Sequence, residues 1–387
     1  MNVQIVQTAN DIKEWLSFPL KLYHGDDNYI HPLNNDVEEV FDPNRNKLLK
    51  GGEAIRFLLK SNGEVVGRVA AFYNDRLAKK GNKQPTGGFG FFECIDDEKV
   101  AFKLFDISKE WLKEKGMEAM DGPINFGDRD RFWGLLTDGF YPPNYGMLYH
   151  KKYYQKFFDD YGFNVYFNQY TYYRIVKGKS FDDKFYKKAK LNINNPDYTF
   201  KYPDKDEMDK VPEYFLTVYN KAWAGHSGVK PMDIRQAKMI FKKLKPILDR
   251  KLLYFGFYKG EPISFYISVP DINQIFRKFN GKFGLLQKLQ FLYYRWKGII
   301  DKSLGLVFGV VPEHQGKGIE AAMTVSYSEL AFSEEYEYIT TEMNWIGDFN
   351  PKMMRVVEQI GGEILKTHKT YRYLFDQNAE FERMPYN

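Results

Sequence analysis

The chain has 387 residues, enough for two or three domains with cores of their own, which excludes a single small domain. Lys and Arg total 56 against 51 Asp and Glu, a net charge of +5 that is mild for this length and unlike a dedicated nucleic-acid binder; aromatic residues at 18% exclude disorder for most of the chain. A single cysteine, Cys94, excludes an internal disulfide, a CxxC pair and a cysteine zinc site, and the six histidines lack HxH or HExxH spacing, so no metal is expected.

In chain order, residues 57–69 read as a hairpin turning at Asn62-Gly63. Residues 90–95 follow as a strand and 100–116 as an amphipathic helix. A helix from Tyr154 ends at Gly162 and runs into a strand through Tyr172. The next stretch is polar, contains Asn192-Ile193-Asn194-Asn195-Pro196 and shows little apolar periodicity, which places a linker at 179–198. Residues 254–265 repeat the hairpin pattern, with Gly260 falling 197 positions after Gly63. Residues 277–303 carry seven Lys or Arg against Asp301 alone, interleaved at helical spacing with Phe283, Phe291, Tyr293, Tyr294 and Trp296. Such a basic aromatic helix either covers core with its lysine stems or meets RNA, an anionic membrane or an acidic substrate. A strand at 304–311, a helix at 319–332 and a strand at 338–345 come next. A last helix opens at Asn350, closes at Gly361 and leads into a strand through Tyr371, 199 positions after Tyr172. Two matches at nearly one period mark an internal repeat. The expected domains are therefore 1–178 and 199–375, each strand-rich with interspersed helices, followed by a tail at 376–387. No apolar stretch approaches the roughly 18 residues that span a bilayer, and the N-terminus lacks the apolar core of a signal peptide, so a cytoplasmic location is expected.

The sharpest local signal is Val310-Val311-Pro312-Glu313-His314-Gln315-Gly316-Lys317-Gly318-Ile319, which joins an apolar strand to a helix. Two glycines and a lysine there let backbone N–H groups and the positive end of the helix point at an anion; the alternative is a glycine-rich turn without a ligand. Gln315, Gly316, Lys317 and Gly318 after a strand resemble the coenzyme A pyrophosphate loop of the GNAT superfamily of acyl-CoA-dependent N-acyltransferases, whose pattern is Arg or Gln, two residues, Gly, one residue, then Gly or Ala. Gln315 and Gly318 match, whereas Glu320 stands at the last position with Ala321 beyond it. Asn344-Trp345 ending a strand, and Asn350 and Met353 opening a helix, are similar to the family's last strand, helix and strand. The resemblance covers residues 199–375, and the repeat extends it to the first half, as in a bacterial group of double-GNAT proteins. In that half Asp96-Asp97-Glu98 take the place of the loop, and three carboxylates would repel a diphosphate.

The resemblance implies an α/β (α+β) fold of two tandem GNAT-like domains, each a mixed, largely antiparallel sheet flanked by helices. It places acetyl-CoA or another acyl-CoA in the second domain against Val310, Val311, Gln315, Gly316, Lys317, Gly318, Ile319, Ala321, Asn344, Asn350 and Met353. It further implies direct transfer to a small-molecule or peptide amine, with Glu342 as the base and N–H groups near Val310 and Val311 holding the oxyanion. Val357 stands where many members carry a tyrosine acid, which makes Tyr371 the candidate acid, with Tyr373 beside it. Asn125, in a polar loop with Asp128, Arg129, Asp130 and Arg131, and Asp271 and Asn273, after a strand end, are candidate substrate contacts. Two other readings stay open: a non-catalytic module that binds coenzyme A or a peptide, and a transferase using aminoacyl-tRNA, with the chain a monomer or homodimer.

Overall fold

The computed structural model describes every residue except 128, 178–180, 182, 224–230 and 386–387. In chain order its strands are β1 (Asn2–Ile5), β2 (Gly52–Ser61), β3 (Glu64–Asn74), β4 (Thr86–Cys94), β5 (Ala119–Gly122), β6 (Leu135–Asp138), β7 (Asn164–Ile175), β8 (Tyr198–Lys201), β9 (Leu253–Tyr258), β10 (Glu261–Pro270), β11 (Lys302–Val310), β12 (Thr340–Gly347) and β13 (Glu363–Leu374). They form one sheet in the order β1-β2-β3-β4-β5-β13-β7-β12-β11-β10-β9-β8, with β6 paired to β13. Both expected hairpins are present, as β2–β3 and β9–β10. The left-handed backbones of Asn62-Gly63 and Lys259-Gly260 give the tight two-residue turns that match the twist of the strands.

In each half a strand, a helix and a second strand make a parallel crossover. β4, the helix Glu98–Glu114 and β5 form one; β11, the helix Ile319–Phe332 and β12 form the other. Asp97 starts the first of these helices by accepting the Lys99 amide at 2.8 Å, so the acidic run serves as a cap.

The halves exchange their last strands. β7 of the first half pairs with β12 of the second, β13 pairs with β5, and β7 and β13 pair with each other at the centre. The segments 1–178 and 199–375 are therefore not separate sheets, and no open edge is left between them. Tyr371, on β13, consequently lies in the core of the first half, fully buried with Phe89, Phe92 and Phe105, its ring 4.9 Å from that of Phe158.

Two further expectations are corrected. Most of the expected linker is the helix Asp183–Ile193, whose Ala189 is buried against Ala321 and Val325. Burial of one face stabilises a helix that its polar sequence does not announce. The basic segment is a long helix only over Leu285–Trp296, after a single turn at Asn273–Phe276. Residues 376–385 carry no helix or strand, and the tail is tied back by Arg383 on Asp348 at 2.6 Å and by the Met384 amide on the Tyr166 carbonyl at 3.1 Å.

Candidate functional site

β11 and β12 run as parallel neighbours only from Lys302–Thr340 to Gly305–Met343, and beyond that point no ladder joins them. The strands part like a fork. In the opening lies a cavity of about 530 Å³, walled by Val307 and Phe308 on β11, Met343 and Ile346 on β12, Met323 on the helix Ile319–Phe332 and Val356 on the helix Pro351–Gln359. On its other edge β11 pairs with β10, where the Val311 amide donates to the Ile263 carbonyl at 2.9 Å. Backbone groups alternate in direction along a strand, so the amides of Phe308 and Val310 face the fork.

Polar groups at the fork are few and placed. At its apex the Tyr266 hydroxyl on β10 lies 3.4 Å from the Thr341 hydroxyl. Gly305 makes room for it, because a Cβ there would stand 2.6 Å from that hydroxyl oxygen. The Asn344 side-chain oxygen is buried in the cavity wall with no hydrogen-bond partner among the described residues. Two guanidinium groups also line the cavity. Arg174 stacks 3.9 Å over Phe181 and burial lowers its pKa to about 10, so it remains charged near neutral pH. Arg129 comes from the first half, and its carbonyl accepts the Trp345 indole N–H at 2.9 Å.

The loop after β11 stands at the start of the helix that floors the fork. Gln315 turns back to donate to the Val310 carbonyl at 2.9 Å, and Gly316 and Gly318 take φ values of +72° and +87°, which a side chain would strain. Among the described residues no side chain caps the helix Ile319–Phe332, which leaves its first-turn N–H groups open to an anion. Asn192 and Lys188 of the helix Asp183–Ile193 close over this loop: the Asn192 amide donates to the Lys317 carbonyl at 2.9 Å, and a Cβ on Gly318 would meet Lys188 Cγ at 3.2 Å.

On the opposite face of the sheet sits a buried group of two cations and two anions. Side chains alternate along β12, so Thr341 and Met343 face the cavity while Glu342 faces away. Glu342 accepts from Lys366 and from Asn144, both at 2.6 Å, and from Lys302 at 2.9 Å; Lys302 also meets Asp271 at 2.8 Å. Burial pushes the Glu342 carboxyl up, but Lys366 and Lys302 together outweigh burial and hold it below the usual carboxylate range. Burial raises Asp271 despite Lys302, and lowers Lys366 despite Glu342. The group ties the roots of β11 and β12 to β13 and to the first half through Asn144.

No family profile matches the chain. Two curated relatives are each 24% identical to it over 379 residues: the bacterial ceramide synthase of Caulobacter vibrioides, with 96% of this chain and 97% of that protein covered, and the protein YghO of Escherichia coli, with 95% and 94%. Among solved structures, a tandem GNAT protein from the clavulanic acid biosynthesis pathway superposes with a TM-score of 0.53 at 11% identity, covering 98% of this chain and all of that one. A fungal GCN5-related glucosamine N-acetyltransferase region superposes with a TM-score of 0.55 at 12% identity, covering 96% of this chain and 38% of that one. This chain has the tandem GNAT fold. The expected fold class stands.

Within this GNAT fold the expected site residues separate into three groups. Asn344, Asn350 and Met353 line the cavity, and Asn350 also caps the helix Pro351–Gln359 by accepting the Met353 amide at 3.2 Å. Residues 315–321 form the loop at the helix start, one turn before Met323 and Thr324 enter the cavity; Ile319 and Ala321 bury their side chains, so they face an anion only through their amides. The remaining candidates are elsewhere. Val311 spends its amide on Ile263, Glu342 and Asp271 belong to the buried charge group, and Asn273 donates to the Pro143 carbonyl at 2.8 Å. Asn125 is buried in the first half, Tyr371 lies in that half's core, and Asp128 falls outside the described residues. Sequence reasoning missed Tyr266 and Arg174, whereas Arg129 belongs to the polar loop it had singled out. Only Tyr266 left a trace, in the glycine at 305 within an otherwise apolar strand.

Proposed function

We propose that this chain is an N-acyltransferase that moves a long acyl group from an acyl-CoA to the amino group of a long-chain amino alcohol. The observation that carries the reading is the forked β11–β12 pair opening onto an apolar cavity of about 530 Å³, far more room than an acetyl group needs. The relative named ceramide synthase supports the acceptor class, since a ceramide is the amide of a fatty acid and a long-chain amino alcohol. The loop at 315–321 fits a pyrophosphate, with uncapped N–H groups at a helix start and Lys317 exposed beside them.

In the reaction the amine nitrogen forms a bond to the thioester carbonyl carbon, the carbon–sulfur bond breaks, the nitrogen releases one proton to solvent water and the sulfur takes one from Tyr266. The Phe308 and Val310 amides, unpaired with β12, face the carbonyl oxygen and stabilise the charge that grows there. Asn344 Oδ1 accepts from the incoming amine and orients it. Tyr266 at the apex gives its hydroxyl proton to the departing sulfur and is reprotonated from solvent. This role takes the place of the tyrosine that Val357 leaves absent, because Val357 is fully buried among Tyr172, Met343 and Ile346.

The test is an incubation of the purified protein with a long-chain amino alcohol and acyl-CoA thioesters of graded chain length, following thiol release and amide formation by mass spectrometry. Transfer should favour long-chain over acetyl donors by at least tenfold; absence of transfer from every donor would remove the reading. Tyr266→Phe should lower kcat by about a hundredfold while leaving KM and melting temperature nearly unchanged, the scale expected for loss of one proton donor. An unchanged kcat would assign the proton to another group.

A further inference from the structure

The helix Leu285–Trp296 carries an apolar stripe on the wrong side. Its inner face is anchored by Phe291, which is buried with Phe276 and Phe283, and by Tyr294. Its outer face shows Leu285, Leu289, Leu292 and Trp296, spaced four, three and four residues apart and therefore in one line, at 78%, 59%, 61% and 78% exposure. Leu286 and Tyr293 widen the stripe and are also exposed. Isolated exposed leucines are ordinary, but six large apolar side chains in one continuous band mark a contact surface.

The charge around the band identifies what the contact is. From residue 272 to residue 300 the chain has no Asp or Glu and six Lys or Arg. Lys278, Lys282, Lys288 and Lys297 are exposed and have no acidic partner among the described residues. Lys297 lies 5.7 Å over the Trp296 ring and 5.8 Å over the Tyr293 ring, so a cation flanks the aromatic end of the band. An apolar line with tryptophan and tyrosine at one end and lysines along its margins is the pattern of a helix lying in the headgroup layer of an anionic bilayer. Twelve residues are too few to cross it, and no helix among the described residues is long and apolar enough to span a membrane.

We infer that the Leu285–Trp296 helix docks this protein on an anionic membrane surface, its leucine and tryptophan stripe entering the headgroup layer and its lysines meeting lipid phosphates. The inference stands on the surface of the helix and does not need the acyl-transfer reading. Lysine stems can reach along the apolar band while their ammonium groups remain with the phosphates. A protein partner would be expected to pair some of these cations with its own carboxylates, whereas a bilayer of anionic lipid pairs them all.

The test is sedimentation of the full chain with vesicles, without any acyl donor, so that its failure is separate from failure of the transferase reading. Vesicles of phosphatidylglycerol and phosphatidylcholine in equal parts should bind the protein at least tenfold more tightly than vesicles of phosphatidylcholine alone, and raised salt should weaken the binding. The double variant Leu289→Glu, Leu292→Glu should lose at least tenfold, and so should Lys282→Glu, Lys288→Glu. Both should keep the wild-type circular dichroism, since all four side chains are exposed. Absence of vesicle binding by the wild type overturns the inference. So does a dimer in light scattering that the leucine variant converts to monomer without any vesicle binding. Binding of tRNA that depends on the lysines but not on the leucines overturns it in favour of nucleic acid.

Discussion

Glu342→Gln is expected to lower folding stability by about 3–5 kcal/mol, the range for removing one partner from a buried ion pair. The carboxylate is 3% exposed and serves two ammonium groups, so its neutral replacement leaves Lys366, itself 1% exposed, without a counter-charge. Lys302 keeps Asp271 and is less affected. Urea unfolding measures the loss, and a change under about 1 kcal/mol would show that the network contributes little net stability. The double variant Glu342→Gln, Lys366→Met should regain part of what the single variant loses, because it removes the stranded cation. The pH dependence has a fixed sign. Glu342 titrates below its unfolded value of about 4.3, so its contribution is complete above that pH and is lost as the pH falls through the lower folded-state value. The Gln variant should lack this part of the acid destabilisation. Transfer chemistry tests the same residue differently: a group that only ties strand roots together should change activity in proportion to the folded fraction.

Glu342 also shows where sequence reading stops. Its place on a strand after the helix Ile319–Phe332 was legible, as were the hairpins at 62–63 and 259–260 and the glycine loop, because each depends on a local pattern of apolar spacing and turn residues. Which face Glu342 takes depends on Lys302, Lys366 and Asn144, which are 40, 24 and 198 residues away. A lysine on a strand reads as solvated, and nothing local to Lys366 announces that it is buried. The strand exchange is invisible for a related reason. β7 and β13 are copies of one repeat, so either could close either half, and the choice is made by long-range packing such as Tyr371 on Phe158. The helix Asp183–Ile193 escaped notice because its stabilising contact, Ala189 on Ala321 and Val325, lies across the fold. Tertiary burial overrides a weak local preference there. The same packing places Lys188 and Asn192 over the loop at 315–321.

Gly318→Asp is expected to weaken binding of acyl-CoA and of its desulfo analogue by at least a hundredfold, about 2.7 kcal/mol. The new carboxylate would stand beside the uncapped N–H groups of residues 319–321, satisfying them itself and repelling a diphosphate. Part of the effect would be strain, because Gly318 has φ +87° and a Cβ there would press on Asn192 Nδ2 at 3.1 Å and Lys188 Cγ at 3.2 Å. Lys317→Glu separates the two causes. Lys317 is exposed and its ammonium group makes no hydrogen bond or ion pair among the described residues, so charge reversal there should cost about tenfold in affinity without changing the melting temperature. Calorimetric titration of the three proteins measures both effects. If Gly318→Asp alone loses binding while Lys317→Glu retains it in full, the loop matters through its backbone shape and amides rather than through its lysine. Equal binding by all three would place the pyrophosphate away from 315–321, and the anionic end of the donor would then have to be sought near Arg174 and Arg129, the two cations that line the fork.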